Sequence, residues 1–172
     1  MVTLTFQALA RTHDVAAFDC GVPALDTWLK AVAGQHQKNG TSKTFVLVDA
    51  AIPATVIGFF AMSLRAPTLV DALPPAMQKK LPQAISGYTL ARLAVSVQFK
   101  GQGHGERLLL KAMQKAQLAS KSVAGFGLFV DAKEGAAAFY EKYGFTPFPD
   151  DPDTLVYPIA AMPAFPDEEP EA

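Results

Sequence analysis

Three alternating glycines offer the clearest chemistry in this sequence. Gly101, Gly103 and Gly105 stand in the segment KGQGHG, between an apolar stretch typical of a strand and an amphipathic stretch typical of a helix. Glycine lets the backbone approach an anion closely and adopt a curled, nest-like conformation. The free amides and the dipole of a helix N-terminus favour negative charge. The segment therefore predicts a phosphate-binding loop, with a flexible turn as the alternative.

Two other phosphate motifs do not match. The dinucleotide fingerprint G-x-G-x-x-G needs a glycine at position 106 or 108, where the chain has Glu106 and Leu108. A P-loop needs Gly-Lys-Ser/Thr, which the sequence lacks. The anion is thus neither a Rossmann-bound dinucleotide nor a P-loop-bound nucleotide.

The segment resembles the Arg/Gln-x-x-Gly-x-Gly/Ala signature of the GCN5-related N-acetyltransferase (GNAT) family, with Lys100 at the first position. The resemblance implies that acetyl-CoA is the cosubstrate and that Val95 polarises the acetyl carbonyl through its amide. It implies an acetyl-CoA site formed by Leu93, Ala94, Val95, Lys100, Gly101, Gln102, Gly103, His104, Gly105 and Glu106. The amides from Gln102 to Glu106 would hold the pyrophosphate, and the side chain of His104 is expected to point outward.

A second GNAT signature follows in AAAFYEKYGF, which matches at Ala136, Phe139, Tyr140, Gly144 and Phe145. Lys133 stands where the family has asparagine. The resemblance implies that Tyr140 is catalytic and protonates the departing CoA thiolate. Thiol and phenol pKa values lie within about 2 units, so a hydrogen-bonded phenol can share its proton. A half-buried tyrosine with a structural role is the alternative.

No general base stands out, because the three histidines, His13, His36 and His104, are isolated from one another. A lysine acceptor with a pKa near ~10.4 would need such a base, whereas an α-amine near ~7.7–8.0 is already substantially neutral. The absence of a recognisable base therefore favours an α-amine as the acetyl acceptor.

Six segments together resemble the acetyltransferase toxins of bacterial toxin–antitoxin systems, over about residues 6–160. They are FDCGVPALDTWL, TFVLV, SGYTLARLAVS, GQGHG, AFYEKYGF and FTPFPDDPDTLVYPI. The resemblance implies that the protein acetylates the α-amine of aminoacyl-tRNA and so blocks translation. It also implies a ribbon-helix-helix antitoxin and a homodimer as assemblies.

The charge distribution is compatible with an anionic partner. The net charge is -1, but all 15 Lys and Arg precede position 143, and residues 1–148 carry +6. Such a cationic body favours contact with a phosphate backbone, while an ordinary solvated surface is the alternative. The cations available for tRNA are Lys38, Lys43, Arg65, Lys79, Lys80 and Arg92, with Arg92 and the 79–80 pair lining the acceptor cleft.

Hydrophobic periodicity gives the elements that position these residues. It predicts the order β-α-β-β-β-α-β-α-β-β, with the strands within 1–12, 44–48, 55–64, 88–96, 125–132 and the two final short runs. Helices are predicted around Leu25–Val32, from the glycines to about Ser120, and before Gly144, which should end its helix at positive φ. The Pro-rich segment 66–87 predicts a loop with at most a short helix, near the substrate site. The fold class is α/β, a GNAT fold: a mixed, mostly antiparallel sheet with helices on both faces and a splayed strand pair at the acetyl-CoA site.

Length and composition set the remaining expectations. The 172 residues suit one domain, placed at 1–160, with an acidic, flexible tail at 161–172. No apolar run reaches ~18 residues, no signal peptide begins the chain, and one cysteine allows no internal disulfide, which predicts a cytoplasmic protein without membrane association. No metal site is expected.

Two other functions stay open at this stage. One is a GNAT acetyltransferase for a small-molecule amine or a protein lysine. The other is a non-catalytic interaction protein that keeps a GNAT scaffold.

Overall fold

The computed structural model describes residues 2–133 and 135–166. The chain divides into two compact units, one formed by Met1–Ser63 with Leu90–Ala112 and the other by Leu64–Thr89 with Met113–Ala172. They are called the first and second units below.

The strands are, in chain order, β1 (Leu4–Ala8), β2 (Lys43–Asp49), β3 (Gly58–Leu64), β4 (Thr68–Leu69), β5 (Ala84–Ile85), β6 (Tyr88–Val95), β7 (Gly127–Asp131), β8 (Thr146–Pro147) and β9 (Thr154–Pro158). The α-helices are α1 (Pro23–Thr27), α2 (Ala33–Asn39), α3 (His104–Ser120) and α4 (Ala137–Lys142). Every predicted element is present in the predicted order. No helix in the described part of the chain is both long and apolar enough to cross a membrane.

In the first unit the strand order is β1-β2-β3-β6. The β2–β3 pair is antiparallel, with Lys43 opposite Met62, so the strands predicted at 44–48 and 55–64 form a hairpin. β2 is buried from Thr44 to Val48 without alternation, the pattern of a strand covered on both faces.

Neighbouring residues of β3 show what covers each face, because successive side chains point to opposite sides of a strand. Phe59 packs edge-on against Phe18 and stacks on Trp28, between α1 and α2. On the other face, the position of Gly58 lies against Leu108 of α3. Helices thus lie on both faces of this sheet, as predicted.

The first predicted helix is not regular. A π-helical turn, Trp28–Val32, separates α1 from α2 and places Trp28 and Leu29 in the core. The helix ends at Gly40, whose φ of 74° is left-handed. The spacing of the apolar residues predicted this helix but gave no sign of the π turn.

In the second unit the strand order is β7-β9-β8, and both pairs are antiparallel. The segment 66–87 is more ordered than the predicted loop. Its β4 and β5 pair with each other, and Leu73 and Ile85 join Phe129, Phe148 and Val156 in a buried cluster. Apolar side chains between the prolines explain this order, because they cover the β7–β9 sheet.

The C-terminal tail was expected to be flexible from position 161. Gln117 of α3 donates to the carbonyl of Pro163 at 2.8 Å and accepts from the amide of Phe165 at 3.0 Å. The segment 163–166 is therefore hydrogen-bonded to α3. The acidic remainder of the predicted tail, 167–172, lies outside the described residues, and the domain boundary at 160 stays a prediction.

Candidate active site

The glycine segment lies between β6 and α3 in the first unit. A 3₁₀ turn, Val97–Phe99, follows β6, and α3 begins at His104. Gly101 and Gly103 have φ angles of 79° and 81°. These left-handed values are strained for residues with a Cβ, so the backbone path requires glycine at positions 101 and 103.

The amides of this segment are open to an anion. The Arg107 amide donates to the Gly103 carbonyl at 3.2 Å. Within residues 2–133 and 135–166, the amides from Gln102 to Glu106 have no hydrogen-bond acceptor. Unpaired donors at the start of a 17-residue helix, reinforced by its dipole, form a favourable site for phosphate oxygens. The residues present therefore fit the pyrophosphate of acetyl-CoA.

Two cations brace the glycine segment through backbone carbonyls. Lys100 donates from Nζ to the carbonyl of Cys20 at 2.8 Å, and Arg107 donates from Nη1 to the carbonyl of Gln102 at 2.7 Å. The Cys20 amide in turn donates to the Asp26 carboxylate at 2.9 Å. Lys100 thus also has a structural role, and Arg107 is a supporting residue that the motif did not reveal.

His104 does not point outward, and that expectation was wrong. The side chain is 6% exposed, its ring lies edge-on to Phe99, and Nδ1 is 3.3 Å from Arg107 Nη1. Burial, and then the charge of Arg107, lower the pKa of His104. The ring is therefore neutral near pH 7 and accepts a hydrogen bond from Arg107 through Nδ1.

The end of β6 is held close to β3. The Ser96 amide donates to the Ile57 carbonyl at 2.8 Å. A Cβ at Gly58 would come within 2.8 Å of the Ala94 carbonyl oxygen, so only glycine permits this approach. Ala94 is buried, whereas Leu93 and Val95 are half-buried. The segment predicted to contact pantetheine is thus fixed by its neighbour strand.

Tyr140 lies on α4 in the second unit. Its side chain is 7% exposed and its ring lies edge-on to Phe139 and Phe145. Burial raises the pKa of Tyr140 to about 12. The hydroxyl has no hydrogen-bond partner in the described part of the chain, and it is not among the fully enclosed polar atoms. Tyr140 thus has a fixed ring and a protonated, accessible hydroxyl.

Gly144 fixes the end of α4 as predicted. Its φ is 98°, and the Phe145 amide donates a hydrogen bond to the Tyr140 carbonyl at 3.2 Å. A Cβ at Gly144 would approach Tyr157 to 2.8 Å. Phe139 and Tyr143, four residues apart on this helix, pack edge-on with ring centroids 5.1 Å apart.

The predicted RNA-binding cations of the first unit differ in how they are held. Arg92 is half-buried, with its guanidinium 5.2 Å from the Trp28 ring centroid and Nη1 bonded to the Ala91 carbonyl. Lys43 is exposed and lies 5.3 Å from the Phe45 ring centroid. Lys38 is exposed on α2. Arg92 is therefore oriented by stacking, whereas the two lysines extend into solvent.

In the second unit, Lys79 and Lys80 are exposed at a turn. Lys80 has a φ of 62°, which is left-handed. Arg65, also expected to be available to RNA, is instead paired: its guanidinium binds the Asp131 carboxylate at 2.7 and 3.0 Å. That part of the prediction was wrong, because the partner lies 66 positions away and no local pattern indicates it.

Comparison with known proteins decides the family. A family model described as "Acetyltransferase (GNAT) domain" matches residues 41–147. The chain belongs to the GNAT acetyltransferase family. It is 31% identical over 145 residues to a "tRNA-acetylating toxin" of Mycobacterium tuberculosis, covering 84% of this chain and 85% of that protein. It is 26% identical over 160 residues to a "Probable toxin TacT" of Sinorhizobium fredii, covering 87% of each.

Two solved structures superpose closely on this chain. A tyrosine-to-phenylalanine variant of KacT matches with a TM-score of 0.85 and 33% identity, covering 92% of this chain and 96% of that one. AtaT complexed with acetyl-methionyl-tRNAfMet matches with a TM-score of 0.85 and 31% identity, with the same coverage. The predicted fold class is confirmed, and the protein is an acetyl-CoA-dependent N-acetyltransferase. Among the described residues, no group of three or more His, Cys, Asp or Glu could hold a metal ion.

Proposed function

We propose that this GNAT acetyltransferase moves the acetyl group of acetyl-CoA to the α-amine of aminoacyl-tRNA, as the translation-blocking toxin of a toxin–antitoxin pair. The supporting observation is the likeness, over 92% of the chain, to AtaT complexed with acetyl-methionyl-tRNAfMet. The "tRNA-acetylating toxin" of M. tuberculosis supports the same acceptor at 31% identity.

The first unit binds the donor. The amides from Gln102 to Glu106 hold the pyrophosphate, with Lys100, Gly101 and Gly103 setting the backbone path. Leu93, Ala94 and Val95 contact the pantetheine arm, and the Val95 amide polarises the acetyl carbonyl. Acetyl-CoA supplies an activated thioester. The open amides and the φ angles of 79° and 81° support this assignment.

Tyr140 is the acid of the reaction. The amine nitrogen forms a bond to the acetyl carbon, the carbon–sulfur bond breaks, and the phenol gives a hydrogen bond or its proton to the departing sulfur. The nitrogen releases one proton to solvent, and a phenolate left on Tyr140 takes one proton back from solvent, so the products are the N-acetylated amine and CoA thiol with the enzyme unchanged. A pKa of about 12 keeps Tyr140 protonated at physiological pH, in the form that an acid needs.

The acceptor amine needs no strong base from the protein. His13 and His104 are buried, and burial lowers the pKa of each. An α-amine near pKa ~7.7–8.0 is neutral in a large fraction of molecules at pH 7 to 8. The α-amine of aminoacyl-tRNA is therefore a more suitable acceptor than a protein lysine, whose pKa lies near ~10.4.

Five cations serve the RNA backbone in this proposal: Arg92, Lys79, Lys80, Lys38 and Lys43. All except Arg92 are exposed, and Arg92 is fixed on Trp28. Lysine and arginine contacts to phosphates supply most of the sequence-independent affinity for nucleic acid.

A ribbon-helix-helix antitoxin is the proposed protein partner. AtaT has been solved bound to the C-terminus of the antitoxin AtaR, and KacTA has been solved in complex with DNA. The proposal also includes a homodimer. It places the protein in the cytoplasm, because charged tRNA is used there.

Radiolabelled acetyl-CoA and a mixture of charged tRNAs test the function. We expect label in the aminoacyl-tRNA fraction that is released by mild deacylation. The matched controls are uncharged tRNA, free amino acids and a lysine-containing peptide. Label only in a free amine or the peptide would favour the metabolic or protein-lysine activity, and acetyl-CoA binding without turnover would favour a non-catalytic role.

A further inference from the structure

A cationic cavity of about 650 Å³ lies in the first unit, apart from the glycine segment. The stretch after β1 forms one wall, and the helical segment from α1 to α2 forms the other. Three cations line it: Arg11, Lys30 and Lys38. We call it the Arg11–Lys38 cavity.

The charges of this cavity are uncompensated. No Asp or Glu is among its lining residues. All three cations are exposed, and within residues 2–133 and 135–166 none of them forms an ion pair. Three unpaired cations around one concave surface create a positive potential that attracts an anion.

Buried hydrogen bonds fix the wall that carries Arg11. His13 is 5% exposed; its Nδ1 accepts from the Ala10 amide at 3.0 Å and its Nε2 lies 2.9 Å from Gln7 Oε1. The His13 amide also bonds to the Ala10 carbonyl at 3.1 Å. Arg11 therefore sits on an ordered turn.

The helical wall is tied to the same turn. Gln37 donates from Nε2 to the Leu9 carbonyl at 2.8 Å and accepts from the Thr44 amide at 3.0 Å. One side chain thus connects α2 to the end of β1 and the start of β2. The cavity is a built feature of the fold and does not depend on mobile side chains for its shape.

The spacing of the lysines indicates an extended anion. Lys30 and Lys38 are eight residues apart, or about 12 Å along a helix. Gly34 lies midway and also lines the cavity, and a Cβ there would meet nothing within 4 Å. A helix-interior glycine costs roughly 0.5–1 kcal/mol relative to alanine, and packing does not require this one. The bare backbone at Gly34 leaves room for an extended anionic chain to cross between the two lysines.

We propose that the Arg11–Lys38 cavity binds the phosphodiester backbone of the substrate RNA. The inference rests on the proposed function and adds a binding site to it, since Arg11, Lys30 and Gly34 were not among the predicted RNA-binding residues. Two lysines about 12 Å apart along the helical wall, with Arg11 on the other wall, suit successive phosphates of one RNA chain better than a single phosphate group.

Salt dependence of tRNA binding tests the site. Fluorescence anisotropy with uncharged tRNA, between 50 and 200 mM salt, compares wild type with the triple variant Arg11→Gln, Lys30→Gln, Lys38→Gln. Each lost phosphate contact lowers the slope of log K against log salt by about 0.7–0.9. We expect a slope smaller by about 2–3 and an affinity roughly 100-fold lower or more near 0.1 M salt. Lys121→Gln, in the second unit, removes one exposed cation and should leave the slope unchanged.

Substitutions at Gly34 separate binding from folding. Glutamate, lysine and alanine all fit this open helical position and should raise the midpoint of thermal unfolding. Gly34→Glu should nevertheless weaken tRNA binding, and Gly34→Lys should strengthen it, by about 3- to 10-fold each, with Gly34→Ala between them. Equal affinity of the glutamate and lysine variants would overturn the proposal.

The outcomes distinguish the cavity from the proposed function. A wild type that acetylates aminoacyl-tRNA, with a triple variant of unchanged slope and unchanged KM for tRNA, would refute only the cavity. A wild type that binds tRNA through the cavity yet transfers no acetyl to it would refute the proposed function and leave the binding site standing. A triple variant that loses affinity for poly-glutamate but not for tRNA would overturn the RNA assignment in favour of an acidic protein partner.

Discussion

Arg65 and Asp131 form a bidentate ion pair in the second unit, with Nη1–Oδ2 and Nη2–Oδ1 distances of 2.7 and 3.0 Å. The guanidinium also lies 5.2 Å from the Phe129 ring centroid, and Thr154 Oγ1 donates to Asp131 at 3.2 Å. The pair therefore joins the residue that follows β3 to the end of β7. It contributes to stability and removes Arg65 from the cations available to RNA.

The ion pair makes stability depend on pH. Although burial opposes ionisation, the hydrogen bond and charge of Arg65, with the Thr154 hydroxyl, lower the pKa of Asp131. A lowered folded-state pKa gives stability that is fully present above about 3.9 and is lost as pH falls through the folded value. In a cycle of Arg65→Ala and Asp131→Ala, followed by urea denaturation, we expect a coupling of about 0.5–1 kcal/mol at pH 7.

Arg65→Lys is the matched control for this cycle, because it keeps the charge and loses the two-pronged geometry. It should retain less than half of the coupling. A coupling that persists unchanged at pH 2.5 would contradict an electrostatic origin.

Removal of the Tyr140 hydroxyl should abolish most catalysis without unfolding the protein. Tyr140→Phe keeps the ring contacts with Phe139 and Phe145, so acetyl-CoA affinity and thermal stability should stay close to wild type. The turnover rate should fall by about 10²- to 10⁴-fold, the usual contribution of a positioned acid. Tyr143→Phe, three residues along, removes a half-buried hydroxyl as a control and should retain activity. A Tyr140→Phe variant with wild-type turnover would leave the hydroxyl without a catalytic role.

The same tyrosine predicts the alkaline side of the rate profile. An ordinary phenol would lose its proton near pH ~10, whereas burial raises the pKa of Tyr140 to about 12. The phenol of Tyr140 therefore stays protonated in this range. We expect the kcat of the wild type not to fall between pH 9 and 10.5 through ionisation of Tyr140. Stopped-time assays with acetyl-CoA and a stable aminoacyl analogue measure this range. A wild-type decline near pH 10 that is absent from the variant would show an unshifted phenol.

The glycine segment should tolerate a side chain poorly at Gly101. Its φ of 79° is left-handed, and an added Cβ would meet no neighbour within 4 Å, so alanine there brings backbone strain alone. The strain costs about 1–2 kcal/mol. A backbone shift that relieves it would turn the amides of the glycine segment away from the bound pyrophosphate. Gly101→Ala should raise the KM for acetyl-CoA about 10-fold or more. Isothermal titration with CoA gives the matching loss of affinity.

Gly40→Ala provides a control with the same strain outside the glycine segment. Gly40 has a φ of 74° and equally open surroundings. It should lose similar stability while the KM for acetyl-CoA stays within about 2-fold of wild type, because nothing at the end of α2 is proposed to bind CoA. Similar increases in KM for both variants would mean that lost stability, not the anion site, sets the affinity.

Local rules predicted the parts of the fold that depend on short sequence separation. The β2–β3 hairpin and the positive φ of Gly144 follow from apolar runs, turn residues and helix-ending glycines. The π turn at Trp28–Val32 left no such trace, since it depends on the burial of Trp28 and Leu29, with Trp28 stacked on Phe59 in the folded core.

The candidate site divides in the same way. The glycine segment and Tyr140 carry recognisable motifs, so sequence could name them. The burial of His104 depends on Phe99 and Arg107 in the folded turn, and the pairing of Arg65 depends on a residue 66 positions away. Likewise, the Arg11–Lys38 cavity combines the turn after β1 with the π turn and α2, and neither segment has a charge pattern of its own.

Replacement of Lys80 by glycine should stabilise the protein and weaken its interaction with aminoacyl-tRNA. It is exposed and holds a φ of 62°, a conformation that is strained for lysine and easy for glycine. Lys80→Gly should therefore raise the free energy of unfolding by about 1 kcal/mol while raising the KM for aminoacyl-tRNA and leaving the KM for acetyl-CoA unchanged. Lys79→Gln removes the neighbouring charge without relieving strain and should raise only the KM for aminoacyl-tRNA. Wild-type tRNA kinetics in both variants would show that the turn does not contact RNA, and the proposed phosphate contacts would then rest on Arg92, Lys43 and the Arg11–Lys38 cavity.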